Sequence, residues 1–145
     1  LLFRLGDREH SKGILQSQIK SINQSNQTTI LALHKAKELA IEMYDSLKEN
    51  DLTKFSDILN RGWEAKRNYT KGVSNKRIEM VSKKATENGA QALKVTGAGG
   101  GGHFFIYANP SKHNSIIKSL KKLGVNNVDF KYQNQGSRVF EINNL

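Results

Sequence analysis

Nine consecutive residues, Lys94-Val95-Thr96-Gly97-Ala98-Gly99-Gly100-Gly101-Gly102, are the stretch of this sequence that argues chemistry by itself. Between Gly97 and Gly102 every residue but Ala98 is glycine, which raises the entropic cost of ordering and contributes no packing. A tight hairpin turn is satisfied with one or two glycines. What a longer run offers is a row of unobstructed backbone N–H groups that a phosphate or a second backbone can approach closely. Gly97, Ala98, Gly99, Gly100, Gly101 and Gly102 are therefore the candidate cofactor-binding residues. Apolar runs lie on both sides, Ala92-Leu93 with Val95 before and Phe104-Phe105-Ile106-Tyr107 after, so the pattern is strand, glycines, strand. A Walker loop ends in Gly-Lys-Ser/Thr and opens a helix, and the dinucleotide fingerprint also needs a helix immediately after its glycines. Neither fits.

Three further residues are candidates for substrate binding. Lys94 alternates with Leu93 and Val95 on a strand and so points away from their face, at the entry to the glycines. Trp63 falls on a helix, where core packing competes evenly with stacking on a sugar. Lys66 and Arg67 follow on the same helix, and one of them is placed to reach a phosphate. His103 stands at the start of the second strand, where a hydrogen-bonded structural role is the simpler reading. The four histidines, His10, His34, His103 and His113, show no metal-ligand spacing with carboxylates, and no metal site is expected. There are no cysteines, which excludes disulfides and cysteine-ligated zinc.

The 145 residues carry a net charge of +10, unevenly spread. Residues 1–60 balance. The excess comes from residues 61–94, with Arg61, Lys66, Arg67, Lys71, Lys76, Arg77, Lys83, Lys84 and Lys94, and from Lys112, Lys118, Lys121 and Lys122. These segments surround the glycines in sequence, where a positive field favours phosphorylated ligands. Most of these lysines are nonetheless expected on solvated helix faces. No apolar stretch approaches the roughly 20 residues needed to span a bilayer.

The elements that must position these residues are mostly helix first and sheet second. Helices are predicted over residues 9–25, 28–49, 53–68 and from Ser74 or Asn75 to Gly89, with another opening at Asn109-Pro110 and closing at Gly124. In the second of these, Leu33, Ala36, Ala40, Met43 and Leu47 form the expected buried face. Strands are predicted at 92–96, 103–108, 128–133 and 138–142, the last two joined through Asn134-Gln135-Gly136-Ser137. The fold class is α+β: helices, then a ferredoxin-like α/β plait with a largely antiparallel sheet. One domain is expected over 1–145, mainly helical over 1–70 and with the plait over 71–145.

The run from Lys94 to Gly102, followed by an apolar strand, resembles the third conserved motif of the GHMP small-molecule kinases. The resemblance extends to Gly62-Trp63-Glu64-Ala65-Lys66-Arg67, Val73-Ser74-Asn75, Phe130-Lys131-Tyr132 and Gly136-Ser137-Arg138-Val139, and is looser over the first 59 residues. Within the family the flanks look most like the branch that phosphorylates D-glycero-D-manno-heptose 7-phosphate. The resemblance implies ATP and Mg2+ as cofactors of the intact enzyme, a sugar phosphate as substrate and a cytoplasmic location. It also implies an N-terminal half with a second, serine-rich glycine loop around the ATP phosphates and the magnesium ligands. No such loop occurs in this sequence, so the chain is expected to be the C-terminal half, inactive alone, without catalytic residues of its own. The apolar Leu1-Leu2-Phe3 is expected as a strand in the middle of a larger sheet, whose exposure would favour self-association.

Two other readings start from the same residues. Phe105 and Tyr107 share one face of a strand beside basic segments, as in a ferredoxin-like RNA-binding module. Against this, adjacent Phe104 and Phe105 point to opposite faces, and the glycines exceed what such a module uses. A non-catalytic ligand sensor built on the kinase fold is the other alternative.

Overall fold

The computed structural model describes residues 1–6, 11–137 and 139. Among the described residues, four strands and five helices follow one another as β1 (Leu2–Gly6), α1 (Ser11–Asn23), α2 (Gln27–Lys48), α3 (Leu52–Arg67), α4 (Lys76–Glu87), β2 (Ala90–Val95), β3 (Gly102–Ala108), α5 (His113–Lys121) and β4 (Asn126–Val128). A 3-10 turn, Pro110–Lys112, leads into α5. The helices begin where short polar side chains can take an orphan N–H. Asn26 accepts from Thr29 N, Asp51 from Lys54 N and Asn75 from Ile78 N, at 2.8–3.0 Å. Ser25 and Asn50 adopt left-handed backbone just past α1 and α2, and Gly89 and Gly124 do so past α4 and α5.

The sheet is antiparallel throughout, in the order β2-β3-β1-β4. Strand pairing puts Leu93 opposite Ile106, Val95 opposite Phe104, Phe3 opposite Phe104 and Leu2 opposite Val128. Alternation then sends Phe3, Leu93, Val95, Phe104 and Ile106 to one face. They pack with Ile78, Val81 and Ala85 of α4, Ile116 and Leu120 of α5, and Val125 in the main core. This is the ferredoxin-like plait, with one difference from the sequence expectation. Its first strand is the N-terminal β1, so α1 to α3 are inserted within the plait rather than preceding it.

Helix α3 lies along the free edge of β2. The Asn60 side chain donates to Gln91 O at 2.9 Å and accepts from Leu93 N at 3.4 Å, taking the place of a neighbouring strand. Open edges invite pairing with other chains, and side-chain cover of this kind closes one. On its other side α3 packs on α2 around Leu39, Ile58 and Ala65, with Met43 against them.

Three expectations are corrected here. The buried face of α2 is Thr29, Ala32, Leu39 and Ser46, with Ala36 and Met43 partly covered, whereas Ala40 and Leu47 are exposed. Small residues on that face let α3 approach closely. The strand expected at 128–133 ends at Val128, which pairs with Leu2 at the start of β1. Residues 129–133 have no regular structure, so the expected hairpin through 134–137 leaves from no strand among the described residues. Of the strand expected at 138–142, only Val139 lies within the described residues. Finally, Phe3 is fully buried within this chain, so Leu1-Leu2-Phe3 does not present the open surface expected of it. The exposed large apolar side chains lie instead mainly on α1 and α2, at Leu15, Ile19, Leu31, Ile41, Tyr44 and Leu47.

Candidate functional site

The glycine run connects β2 to β3 and folds down onto the segment before α4. Gly100 N donates to Val73 O at 2.9 Å, and the Asn75 amide donates to Gly100 O at 3.0 Å. Asn75 thus both caps α4 and ties down the loop. Two of the glycines are required by this close approach. A Cβ on Gly99 would stand 2.8 Å from Val73 O and 2.9 Å from Val73 Cα, with φ at +104°. A Cβ on Gly100 would stand 2.5 Å from Ile14 Cδ1 and 3.2 Å from Gly72 O, with φ at +74°. Side chains are thus excluded by contact as well as by backbone angle.

Most of the run is consequently internal. Gly99, Gly101 and Gly102 are buried, Ala98 and Gly100 are half-buried, and Gly97 is exposed. Among the described residues no acceptor meets the N–H of Ala98 or Gly99. The part of the run that faces outward with an unpaired N–H is therefore narrow and centred on the Gly97–Ala98 peptide.

Lys66 sits beneath it, 8% exposed, and its ammonium donates to Val95 O at 3.0 Å and also to Gly97 O. The side chain that the sequence offers as a phosphate ligand is directed at the carbonyls where the loop begins. Trp63, one turn earlier on α3, is 3% exposed and belongs to the main core, so it turns no open face to a ligand within this chain. Lys94 does point away from Leu93 and Val95, as alternation requires. With Tyr69, Leu39, Met43 and Ile58 it lines a cleft of about 280 Å³ between α2, α3 and β2. Burial raises the Tyr69 hydroxyl pKa above its ordinary value.

Several basic residues near the loop are already engaged. Arg61 pairs with Glu42 and Asp57, and Arg67 with Glu64 and Glu79, at 2.7–3.2 Å. His103 serves through its backbone, its carbonyl accepting from Thr96 N at 2.9 Å. Tyr107 is met edge-on by Phe55 of α3 at 5.2 Å between ring centres, which covers half of the aromatic pair that an RNA-stacking sheet would leave open.

Sequence reasoning missed the Asn75 amide that ties down the loop from outside, the Asn60 side chain that covers the edge of β2, and the backbone of Gly72 and Val73 as the surface under the glycines. Val73-Ser74-Asn75 did stand out in the sequence, but as a helix entry.

Comparison with known proteins agrees with this geometry. Residues 43–126 match the family model of the GHMP kinases C-terminal region. The chain is 32% identical over 134 residues to the D-glycero-alpha-D-manno-heptose 7-phosphate kinase of Campylobacter jejuni, covering 92% of this chain and 37% of that protein. It is 28% identical to the galactokinase of Pyrococcus furiosus, covering 78% and 32% respectively. The chain thus spans about a third of the length of these relatives. Among solved structures, a putative sugar kinase from C. jejuni superposes with a TM-score of 0.61 at 30% identity, covering 93% of this chain and 36% of the other. The L. major mevalonate kinase, solved with R-mevalonate, superposes at 0.72 and 20% identity, covering 83% and 37%. The loop, the plait that carries it and these matches together place the chain in the GHMP kinase family, as its C-terminal domain.

Proposed function

We propose that this chain is the C-terminal part of an ATP-dependent sugar kinase that phosphorylates D-glycero-D-manno-heptose 7-phosphate in the cytoplasm. The observation that carries the acceptor is the 32% identity over nearly the whole chain to a heptose phosphate kinase, against 28% over a shorter stretch to a galactokinase. ATP supplies the transferable phosphoryl group. Phosphoryl transfer is largely a matter of position and charge stabilisation. In this reading the Gly97–Ala98 peptide gives a fixed N–H donor to a phosphate oxygen, and the buried Gly99 and Gly101 hold it at constant depth. Lys94 is the candidate acceptor-side cation, since its cleft is open. Trp63 and Lys66 act from within the fold. Magnesium ligands and the second phosphate loop are assigned to an N-terminal partner half, and among the described residues no helix is long and apolar enough to cross a membrane.

An acceptor panel with the full-length protein tests this. Heptose 7-phosphate is expected to be turned over faster than galactose, mevalonate or homoserine, and a clear preference for another acceptor would overturn the assignment within the family. Residues 1–145 alone, assayed beside it with Mg-ATP, are expected to show no turnover and at most weak nucleotide binding by calorimetry. Turnover by this chain alone would mean that the phosphate-binding parts have been assigned to the wrong half.

A further inference from the structure

We propose that Lys66 is a positioning residue: by holding the Gly97 carbonyl toward α3, it turns the Ala98 N–H outward as the loop's donor to a phosphate oxygen. In a trans peptide the C=O and N–H of one unit point in opposite directions, and no peptide among the described residues is cis. Whatever fixes the carbonyl therefore fixes the donor. The neighbouring unit shows this at work. Lys66 holds Val95 O at 3.0 Å, and across the same peptide Thr96 N is delivered to His103 O at 2.9 Å. The Gly97 carbonyl is held by the same ammonium, so the Ala98 N–H is directed away from α3. There, among the described residues, it meets no acceptor.

Two features make a fixing residue necessary. Gly97 has no Cβ and sits at a φ of +69°, so the peptide that follows it has little intrinsic preference against turning over. Turned over, it would present a carbonyl oxygen to the phosphate in place of an N–H. A cation on the carbonyl opposes that turn and polarises the amide, strengthening the donor on its far side. Lys66 thus brings positive charge to a phosphate through one peptide unit, without touching it. The ligand in this inference rests on the kinase reading; the clamp itself rests on geometry alone.

The test uses the full-length protein and its Lys66→Met variant. Expected in the variant are a kcat lower by roughly a hundredfold, at the low end of the cost of losing one aligned donor, and a KM for the acceptor that is little changed. Lys66→Arg, which keeps the charge, should recover part of kcat. The carbonyl carbon resonance of Gly97 should move in Lys66→Met, and it reads the clamp without any turnover. A further measurement needs no variant: with alanine labelled by 15N, the Ala98 amide should shift on adding Mg-ATP, while Ala85 and Ala92 stay put. Wild-type kcat in Lys66→Met, an unmoved Gly97 resonance, or an Ala98 amide indifferent to a nucleotide that the enzyme turns over would each overturn the proposal. A moved Gly97 resonance in a protein with no ATP-dependent turnover would instead uphold the clamp and overturn the kinase reading.

Discussion

Gly99→Ala in the full-length protein is expected to lower kcat by at least ~100-fold, on the scale of losing an aligned donor set. The same single methyl should cost about 3 kcal/mol of stability, combining about 1–2 kcal/mol for left-handed backbone with about 1–3 kcal/mol for overpacking. The methyl would enter the space of Val73 O and Val73 Cα, which are backbone and cannot swing aside. Relief must come from lifting the loop off the segment before α4, and that movement breaks the Gly100 N to Val73 O bond and displaces the Gly97–Ala98 peptide. Gly100→Ala makes a useful contrast. Its closest contact is the end of the Ile14 side chain, which can rotate away, so the packing part of the cost should be smaller. Urea unfolding and turnover, measured on both variants, check the ranking. Wild-type values in Gly99→Ala would show that the 72–73 backbone yields and that the loop is not held as described.

Trp63→Ala is expected to destabilise the protein by about 3–5 kcal/mol, the usual consequence of emptying a large aromatic site in a core. Trp63→Phe should keep most of the stability and leave the KM for the acceptor unchanged. A sugar-stacking tryptophan would behave in the opposite way, with KM raised and stability nearly untouched. The indole is 3% exposed and packed in the cluster that holds Phe3, Phe104 and Ile116, which decides for the first outcome. Denaturant unfolding together with acceptor saturation curves separates the two. A raised KM in Trp63→Phe at wild-type stability would return Trp63 to the binding site.

What the sequence made legible, and what it hid, follow the range of the interactions involved. Helix ends could be read because capping is local: Asn75, Asn50 and Gly124 each act within a few residues. The phase of α2 could not. Apolar side chains at Leu31, Ile41, Tyr44 and Leu47 surround the helix, so periodicity gives the period without saying which side faces α3. The buried side is Thr29, Ala32, Leu39 and Ser46, of which only Leu39 is a large apolar residue. The glycine loop was legible as a place of close approach, since only that demands so many glycines. What approaches it was not, because Val73 lies more than twenty residues earlier and Val73-Ser74-Asn75 reads from the sequence only as a helix entry. Lys66 stands out in the sequence as a cation that could reach a phosphate, whereas in the structure its ammonium donates to Val95 O and Gly97 O. Its charge is visible in the sequence, but its burial against two carbonyls depends on where α3 lies along the edge of β2.

The place of β1 in the sheet also governs the order in which the chain can fold. Phe3 must pair with Phe104 and with Asn127, partners made long after it during synthesis. Helices α1 to α4 are local and can form and pair while the rest of the chain is still being made, whereas the two inner strands cannot meet until β3 exists. Closing so long a loop costs little more than closing a moderate one, so the delay is one of time rather than of equilibrium. During that interval Leu1, Leu2 and Phe3 form an unpaired apolar strand tethered to finished helices. An intermediate of that shape is the kind that aggregates or recruits chaperones. Mutations that slow the pairing of β3 should therefore lower the yield of soluble protein well before they lower the stability of the molecules that do fold.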